Sequence, residues 1–419
     1  MLRDNVMTNF VVRLPREALA FPQPLAAGAE PGFAIRGIKG WNWTPEQYLS
    51  EIPVLARCKM NFLMNCYLSM FSQGLRENRW WEPLPEGTKE SYAHIVRRCQ
   101  EYGIAFCFAM HPQLSSPRPM DPTSAEDFEL LWQHFASAQG LGVKWFSVLL
   151  DDIHVIGETR ILGLKHARMV SKLFGRLREG DPETQFVFCP TWYWGDGSGE
   201  KERAYLEALA EDLHREVYLF WTGDSVVGNI TRRGAERYRG FARHRLILWD
   251  NYPVNDGHAA MHLGPVTGRD PDLCEVVDGY MSNPHASQNE VNRIPLFTCA
   301  DYAWNPWGYD PVRSIGQAIV HLEDSPEARL VLRDLVQAYP GMLLHRAAQP
   351  AFNTMRDQYS RITAQRHAKF PASAFIQHVE DLARRMQEVF PKRYQAARKT
   401  LEDDIAWLRE SFEATYGVW

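Results

Sequence analysis

Between Gly32 and Tyr302 the chain repeats one rhythm eight times: a short apolar run, a polar loop, then an amphipathic helical pattern. The runs are Gly32 to Ile38, Met60 to Tyr67, Ile104 to Met110, Lys144 to Leu150, Gln185 to Cys189, Val217 to Trp221, Leu246 to Trp249 and Ile294 to Cys299. They are continuous rather than alternating, so each reads as a strand covered on both faces, and their alternation with helices makes the sheet parallel. Eight such units over about 280 residues predict an α/β fold, a (β/α)8 TIM barrel. An open, doubly wound sheet is the runner-up, disfavoured by the count of eight.

Helix signals fall between the runs. Thr44-Pro45-Glu46-Gln47 supplies an N-cap, a proline at the first helical position and acidic or amide residues in the first turn. Thr123-Ser124-Ala125-Glu126 reads as a capping box opening a helix from Thr123 to Gln139. From Pro311 onward the strand signal stops, and Arg313 to Ala338, Ala351 to Arg366 and Ala372 to Tyr416 read as charged amphipathic helices. Pro340, Pro350 and Pro371 mark the breaks, and no sustained heptad supports a coiled coil. The expected organisation is an irregular segment 1–30, a catalytic barrel 31–312, and a closing helix with a C-terminal α-helical domain over 313–419.

Composition narrows the function. A net charge of −5 gives no electrostatic reason to expect nucleic acid or an anionic membrane as partner. The seven cysteines are odd in number and lack CxxC spacing, which argues against a disulfide framework and a zinc site. No apolar run approaches the roughly 20 residues needed to span a bilayer. The first thirty residues carry Arg3, Asp4, Arg13, Arg16 and Glu17 without an apolar core, so a cytoplasmic protein is expected. Aromatics reach 12%, with fourteen Trp, enough to fill a large core or to stack on ring-shaped ligands, and the loop carrying Trp80 and Trp81 could stack in this way.

The predicted strand ends carry Lys39, Asn65, His111, Asp151, Asp152, Tyr193, Asp224, Asp250, Asn251, Asp256, Asn283 and Asp301. Polar groups at the carboxyl ends of barrel strands are how this architecture assembles a site. Asp151 and Asp152 stand out because they follow a buried strand directly. Neighbouring strand residues point to opposite faces, so the two share a pocket only if the strand ends there. Two close carboxylates in a partly desolvated site hinder each other's ionisation, which gives one proton donor and one anion, the pair that glycoside hydrolysis needs. His111, Asp151, His154, Asp250 and His258 allow another reading, a metal-dependent hydrolase, although no pair of histidines has ligand spacing.

Six segments in order resemble glycoside hydrolase family 84, the β-N-acetylglucosaminidases that include enzymes removing O-linked GlcNAc from proteins. They are Ser147 to Ile153, Cys189 to Tyr193, Trp221-Thr222-Gly223, Trp249 to Asp256, Leu263-Gly264-Pro265 with Gly268-Arg269, and Ser282-Asn283-Pro284. The resemblance spans roughly Gly37 to Asp310. It implies a (β/α)8 barrel followed by helices, no metal and no cofactor, and a carbohydrate partner, a β-linked 2-acetamido sugar on a protein, peptide or oligosaccharide. It also implies a substrate-assisted retaining mechanism in which the sugar's acetamido oxygen attacks the anomeric carbon. By the resemblance Asp151 orients the acetamido group, Asp152 is the general acid and base, and Gly37, Tyr193, Trp249, Asn251, Asp256 and Asn283 bind substrate.

The family's lysine after strand two is absent, since Cys66-Tyr67-Leu68-Ser69-Met70 stands there. Lys39 is the expected substitute. The same gap motivates two alternatives: a member that acts on another 2-acetamido or modified sugar, and a sugar-binding protein without turnover. Self-association through the terminal helices is left open.

Overall fold

A computed structural model describes residues 12–15, 21–67, 77–155, 157–254, 261–284, 289–343, 351–352 and 354–417. Seven of the eight apolar runs are strands: β1 (Ile35–Gly40), β2 (Phe62–Asn65), β3 (Ala105–Met110), β4 (Trp145–Leu149), β5 (Gln185–Cys189), β6 (Tyr218–Trp221) and β7 (Leu246–Pro253). With β8 (Gly279–Asn283) they close a barrel in chain order, β1 pairing in parallel with both β2 and β8. The strand interiors are mainly apolar because both faces are buried: Leu63, Cys107, Phe146, Val148, Phe188 and Leu219 are all inaccessible.

The eighth run is a correction. Ile294 to Cys299 lies inside α7 (Asn289–Trp304), and the eighth strand is the shorter Gly279–Asn283. A short apolar run is ambiguous between a strand and a helix buried on most sides. Here Val291, Ile294, Phe297, Cys299, Ala300 and Tyr302 are all buried, which erases the helical period. Asp301 therefore sits on a helix, where its carboxylate accepts the Gln23 N–H at 2.9 Å.

The helices between strands are α1 (Pro45–Arg57), α2 (Glu86–Glu101), α3 (Ala125–Gly140), α4 (Thr159–Gly180), α5 (Glu200–Asp212) and α6 (Arg232–Ala242). Thr44 caps α1 as expected: its hydroxyl accepts the Gln47 N–H, and its own N–H donates to the Gln47 side chain. The cap of α3 is Ser124 rather than Thr123, whose hydroxyl is turned toward Asp121.

The chain forms two compact units. One comprises Glu30–Asn251 and Arg269–Asn283 and holds the barrel strands but for the last two residues of β7; the other comprises Met1–Ala29, Tyr252–Gly268 and Pro284–Trp419. In the second unit, the stretch expected as one helix from Arg313 to Ala338 is two, α8 (Pro311–Leu322) and α9 (Pro326–Ala338). Ser325 caps the latter and Pro326 fills its first position. The last stretch likewise divides at Pro391 into α11 (Lys369–Val389) and α12 (Gln395–Tyr416), preceded by α10 (Met355–Thr363). Ile315, Leu332, Leu335, Ile376, Leu382, Met386, Leu401 and Leu408 form this unit's apolar core. At the α11–α12 turn, Arg393 pairs with Glu290 and Glu323, and the Tyr394 hydroxyl donates to Glu323 at 2.9 Å. Among the described residues no helix is long and apolar enough to cross a membrane.

Candidate active site

Strand β4 ends at Leu149, and the ladder's last contact is the Leu150 N–H donating to the Cys189 carbonyl. Asp152 then adopts a left-handed backbone, with φ of 52°. That turn resolves the problem of alternation, because a strand would have sent the neighbouring carboxylates to opposite faces. Asp151 ends up buried and Asp152 exposed. Tyr193, just past β5, donates its hydroxyl to Asp152 Oδ1 at 2.8 Å.

Asp151 is the electrostatically unusual group. Burial pushes its carboxyl above the ordinary carboxylate range, opposed by His111 and Lys39 and reinforced by the negative charge of Asp152. His111, buried at the end of β3, approaches it with Nε2 2.8 Å from the Asp151 carbonyl oxygen and 3.5 Å from Oδ1. Oδ1 itself is buried and accepts no hydrogen bond from the described residues. A buried acceptor of this kind calls for a donor from elsewhere.

Lys39 lies within β1, one residue before its end, and is almost fully buried. Its ammonium stands 4.0 Å from the ring centre of Trp41, 4.5 Å from that of Trp249 and 5.0 Å from that of Tyr67. Three aromatic faces offer a cation its most favourable apolar surroundings. Trp249, on β7, is buried, and its indole N–H has no acceptor among the described residues. Asn251 and Asn283, at the ends of β7 and β8, form a pair in which Asn283 Nδ2 donates to Asn251 Oδ1 at 2.9 Å and Asn251 donates to the Val226 carbonyl at 2.7 Å. The Asn283 side-chain oxygen is buried with no partner among the described residues.

Gly37 is in the middle of β1, and a Cβ there would lie 2.0 Å from the Phe62 carbonyl oxygen, so its lack of a side chain serves strand packing. Asp256 lies outside the described residues, as does His258. Other strand-end groups are committed to structure. Asp250 is fully buried against Arg269 and accepts the Tyr280 hydroxyl at 2.6 Å, and Asn65 spans to both the N–H and the C=O of Ala109. Trp80 is fully buried, with its indole N–H on the Arg118 carbonyl, and so is no stacking platform. Both His111 nitrogens are engaged within the protein, and both Asp250 oxygens are bound by Arg269, one of them also by Tyr280, so a metal would have to displace these contacts.

Residues 34–337 match the family model described as NAGidase, beta-N-acetylglucosaminidase. The chain belongs to this beta-N-acetylglucosaminidase family. It is thus a glycoside hydrolase of the N-acetylglucosaminidase kind. Solved structures share the fold. An O-GlcNAc hydrolase of Thermobaculum terrenum, in mutant form, is 24% identical over 91% of this chain and 83% of its own, with a TM-score of 0.72. A protein designated CpGH84B is 20% identical over 92% of this chain and 69% of its own, also with a TM-score of 0.72.

Two contributors within this beta-N-acetylglucosaminidase barrel had no strong signal in the sequence. Trp41 and Tyr67 join Trp249 around Lys39, yet as single aromatics near strand ends they are indistinguishable from core residues. Cys189 closes β5 beneath the carboxylates, and its thiol is pushed well up by burial and by Asp151.

Proposed function

We propose that this glycoside hydrolase is a retaining β-N-acetylhexosaminidase that uses the substrate's own 2-acetamido group as nucleophile. The observation carrying the proposal is the pair at the end of β4: a buried Asp151 with an unmet acceptor oxygen, and an exposed Asp152 turned to the same rim and held by Tyr193. An unmet carboxylate oxygen suits an acetamido N–H. In the proposed reaction Asp151 accepts that N–H, which aligns the acetamido oxygen with the anomeric carbon as the oxazoline forms. Asp152 gives its proton to the leaving oxygen, then takes one from the water that opens the oxazoline. Asn251, Asn283 and Trp249 supply polar atoms for the acetamido group and the hydroxyls, and the catalytic part of the chain is the barrel, 31–312.

Hydrolysis of an aryl β-GlcNAc by the wild type, with a loss of roughly 100-fold or more in Asp151→Asn and Asp152→Asn, is the expected result. Activity surviving in both variants would sink the assignment. A thiazoline mimic of the oxazoline should inhibit competitively, and indifference to it argues against acetamido participation.

Lys39 takes the place of the family lysine missing after β2. Its charge lowers the proton affinity of Asp151 and lies within the same aromatic-walled recess. Lys39→Met should lower kcat/KM about 10-fold or more, since a charged hydrogen-bonding partner is lost. Unchanged kinetics would remove Lys39 from the site.

A further inference from the structure

His111 is more than a neighbour of the carboxylates. Its Nδ1 receives two backbone N–H groups, from Leu114 at 2.9 Å and from Gln113 at 3.3 Å. An atom that accepts from two donors carries no proton, so the imidazole is neutral and its single N–H is on Nε2. Burial acts in the same direction by disfavouring the charged ring. The ring is held in place: it stacks at a tilt 5.4 Å from Tyr67, and the His111 carbonyl accepts the Asn78 side-chain amide, which also donates to Leu114.

The Nε2–H points at the carbonyl oxygen of Asp151, 2.8 Å away. That carbonyl belongs to the peptide joining Asp151 to Asp152. The peptide runs into the left-handed Asp152, a conformation that costs most residues with a Cβ roughly 1–2 kcal/mol and aspartate less. Without a fixed partner for the carbonyl, the peptide plane is free to rotate and the turn to relax, which would swing Asp152 away from Tyr193.

We infer that His111 is a positioning residue: as a neutral Nε2–H donor it clamps the peptide between Asp151 and Asp152, holding the two carboxylates on one rim in their working relation. The inference rests, for its kinetic consequences, on the roles proposed above for the pair. Asp151 is faced by Lys39 from β1, Tyr67 after β2, His111 after β3, Asp152 on its own segment, and Cys189 and Tyr193 from β5 and its following loop. Removing the His111 N–H takes away a dipole that favours the Asp151 anion, while the other groups stay.

Two substitutions isolate the donor. His111→Phe keeps ring volume but has neither donor nor acceptor, whereas His111→Gln keeps a terminal N–H able to reach the carbonyl. Both lose the Nδ1 acceptor, so the difference between them reports the clamp. In His111→Phe, kcat for an aryl β-GlcNAc should fall about 10- to 100-fold with little change in KM, the signature of a reacting group misplaced by a fraction of an ångström to one ångström. The acidic limb of kcat/KM should move to higher pH. His111→Gln should recover much of the loss and keep the wild-type limb. Equal losses in the two variants, or a wild-type limb in His111→Phe, would overturn the inference.

A second set of measurements needs no turnover. Nitrogen NMR of the ring in the wild type should show a neutral Nε2–H tautomer with bare Nδ1 at pH 7, and a charged ring or a protonated Nδ1 would refute the clamp. Carbon NMR of the Asp151 carboxyl should titrate higher in His111→Phe than in the wild type. If the wild type fails to hydrolyse the aryl glycoside while these NMR results hold, the clamp stands and the functional reading falls.

Discussion

Asp151 is a carboxyl placed where its ionisation is resisted, and that has a thermodynamic sign. A group whose folded-state pKa is raised binds more protons in the folded state than in the unfolded chain. Stability therefore falls as pH rises from the unfolded carboxylate value through the raised folded one, and the cost persists above it. Asp151→Asn removes the buried charge while preserving shape, so its Tm at pH 7 should exceed that of the wild type even as activity is lost; a lower Tm would mean the carboxylate is a net stabiliser. In the proposed reaction Asp151 works as the anion, so the same raised pKa places the acidic limb of activity above the ordinary Asp range. These properties were only partly legible beforehand. The dipeptide after an apolar strand identified the position, but the left-handed turn at Asp152, the neutral tautomer of His111 and the box around Lys39 arise from chain segments far apart in sequence. No local pattern encodes them.

The elements show why some predictions held and one strand was misassigned. Continuous apolar runs such as Trp145-Phe146-Ser147-Val148-Leu149 have only one common explanation in an alternating chain, a strand buried on both faces. Gly279-Tyr280-Met281-Ser282-Asn283 is shorter and turns polar, while the more apolar Ile294 to Cys299 belongs to a buried helix, so apolarity alone chose wrongly. The Ser282-Asn283-Pro284 motif already marked the true strand end. Between β7 and β8 a buried pair holds neighbouring strands: Asp250 on β7 binds Arg269 and the Tyr280 hydroxyl of β8, with both charges buried. Removing one partner of a buried pair leaves an uncompensated charge and costs about 3–5 kcal/mol. Asp250→Ala should lose that much in a denaturant titration, and a loss below about 1 kcal/mol would show that Arg269 finds another partner or water.

At the scale of the whole molecule, all seven cysteines are thiols and six of them are buried. Cys274 alone is intermediate in exposure, and its thiol is pushed up to about 11 by burial and the adjacent acidic side chains. Since the thiolate is the reactive form, native protein should label slowly at one site with a thiol reagent near pH 7.5, and at seven sites once denatured. Rapid labelling of two or more thiols in the native state would show that a barrel or helical core opens on that timescale.

The left-handed backbone at Asp152 also decides which inactive protein is worth making. Asparagine accepts that conformation nearly as well as aspartate, whereas a side chain branched at Cβ resists it. On the role proposed for Asp152, the Asp152→Asn variant should therefore be strongly impaired yet keep an undistorted mouth, able to hold a glycosylated molecule that it cleaves only slowly. Immobilised as bait, that variant offers a direct way to retrieve the natural aglycone, with β-GlcNAc in the wash as the competitor that must release it.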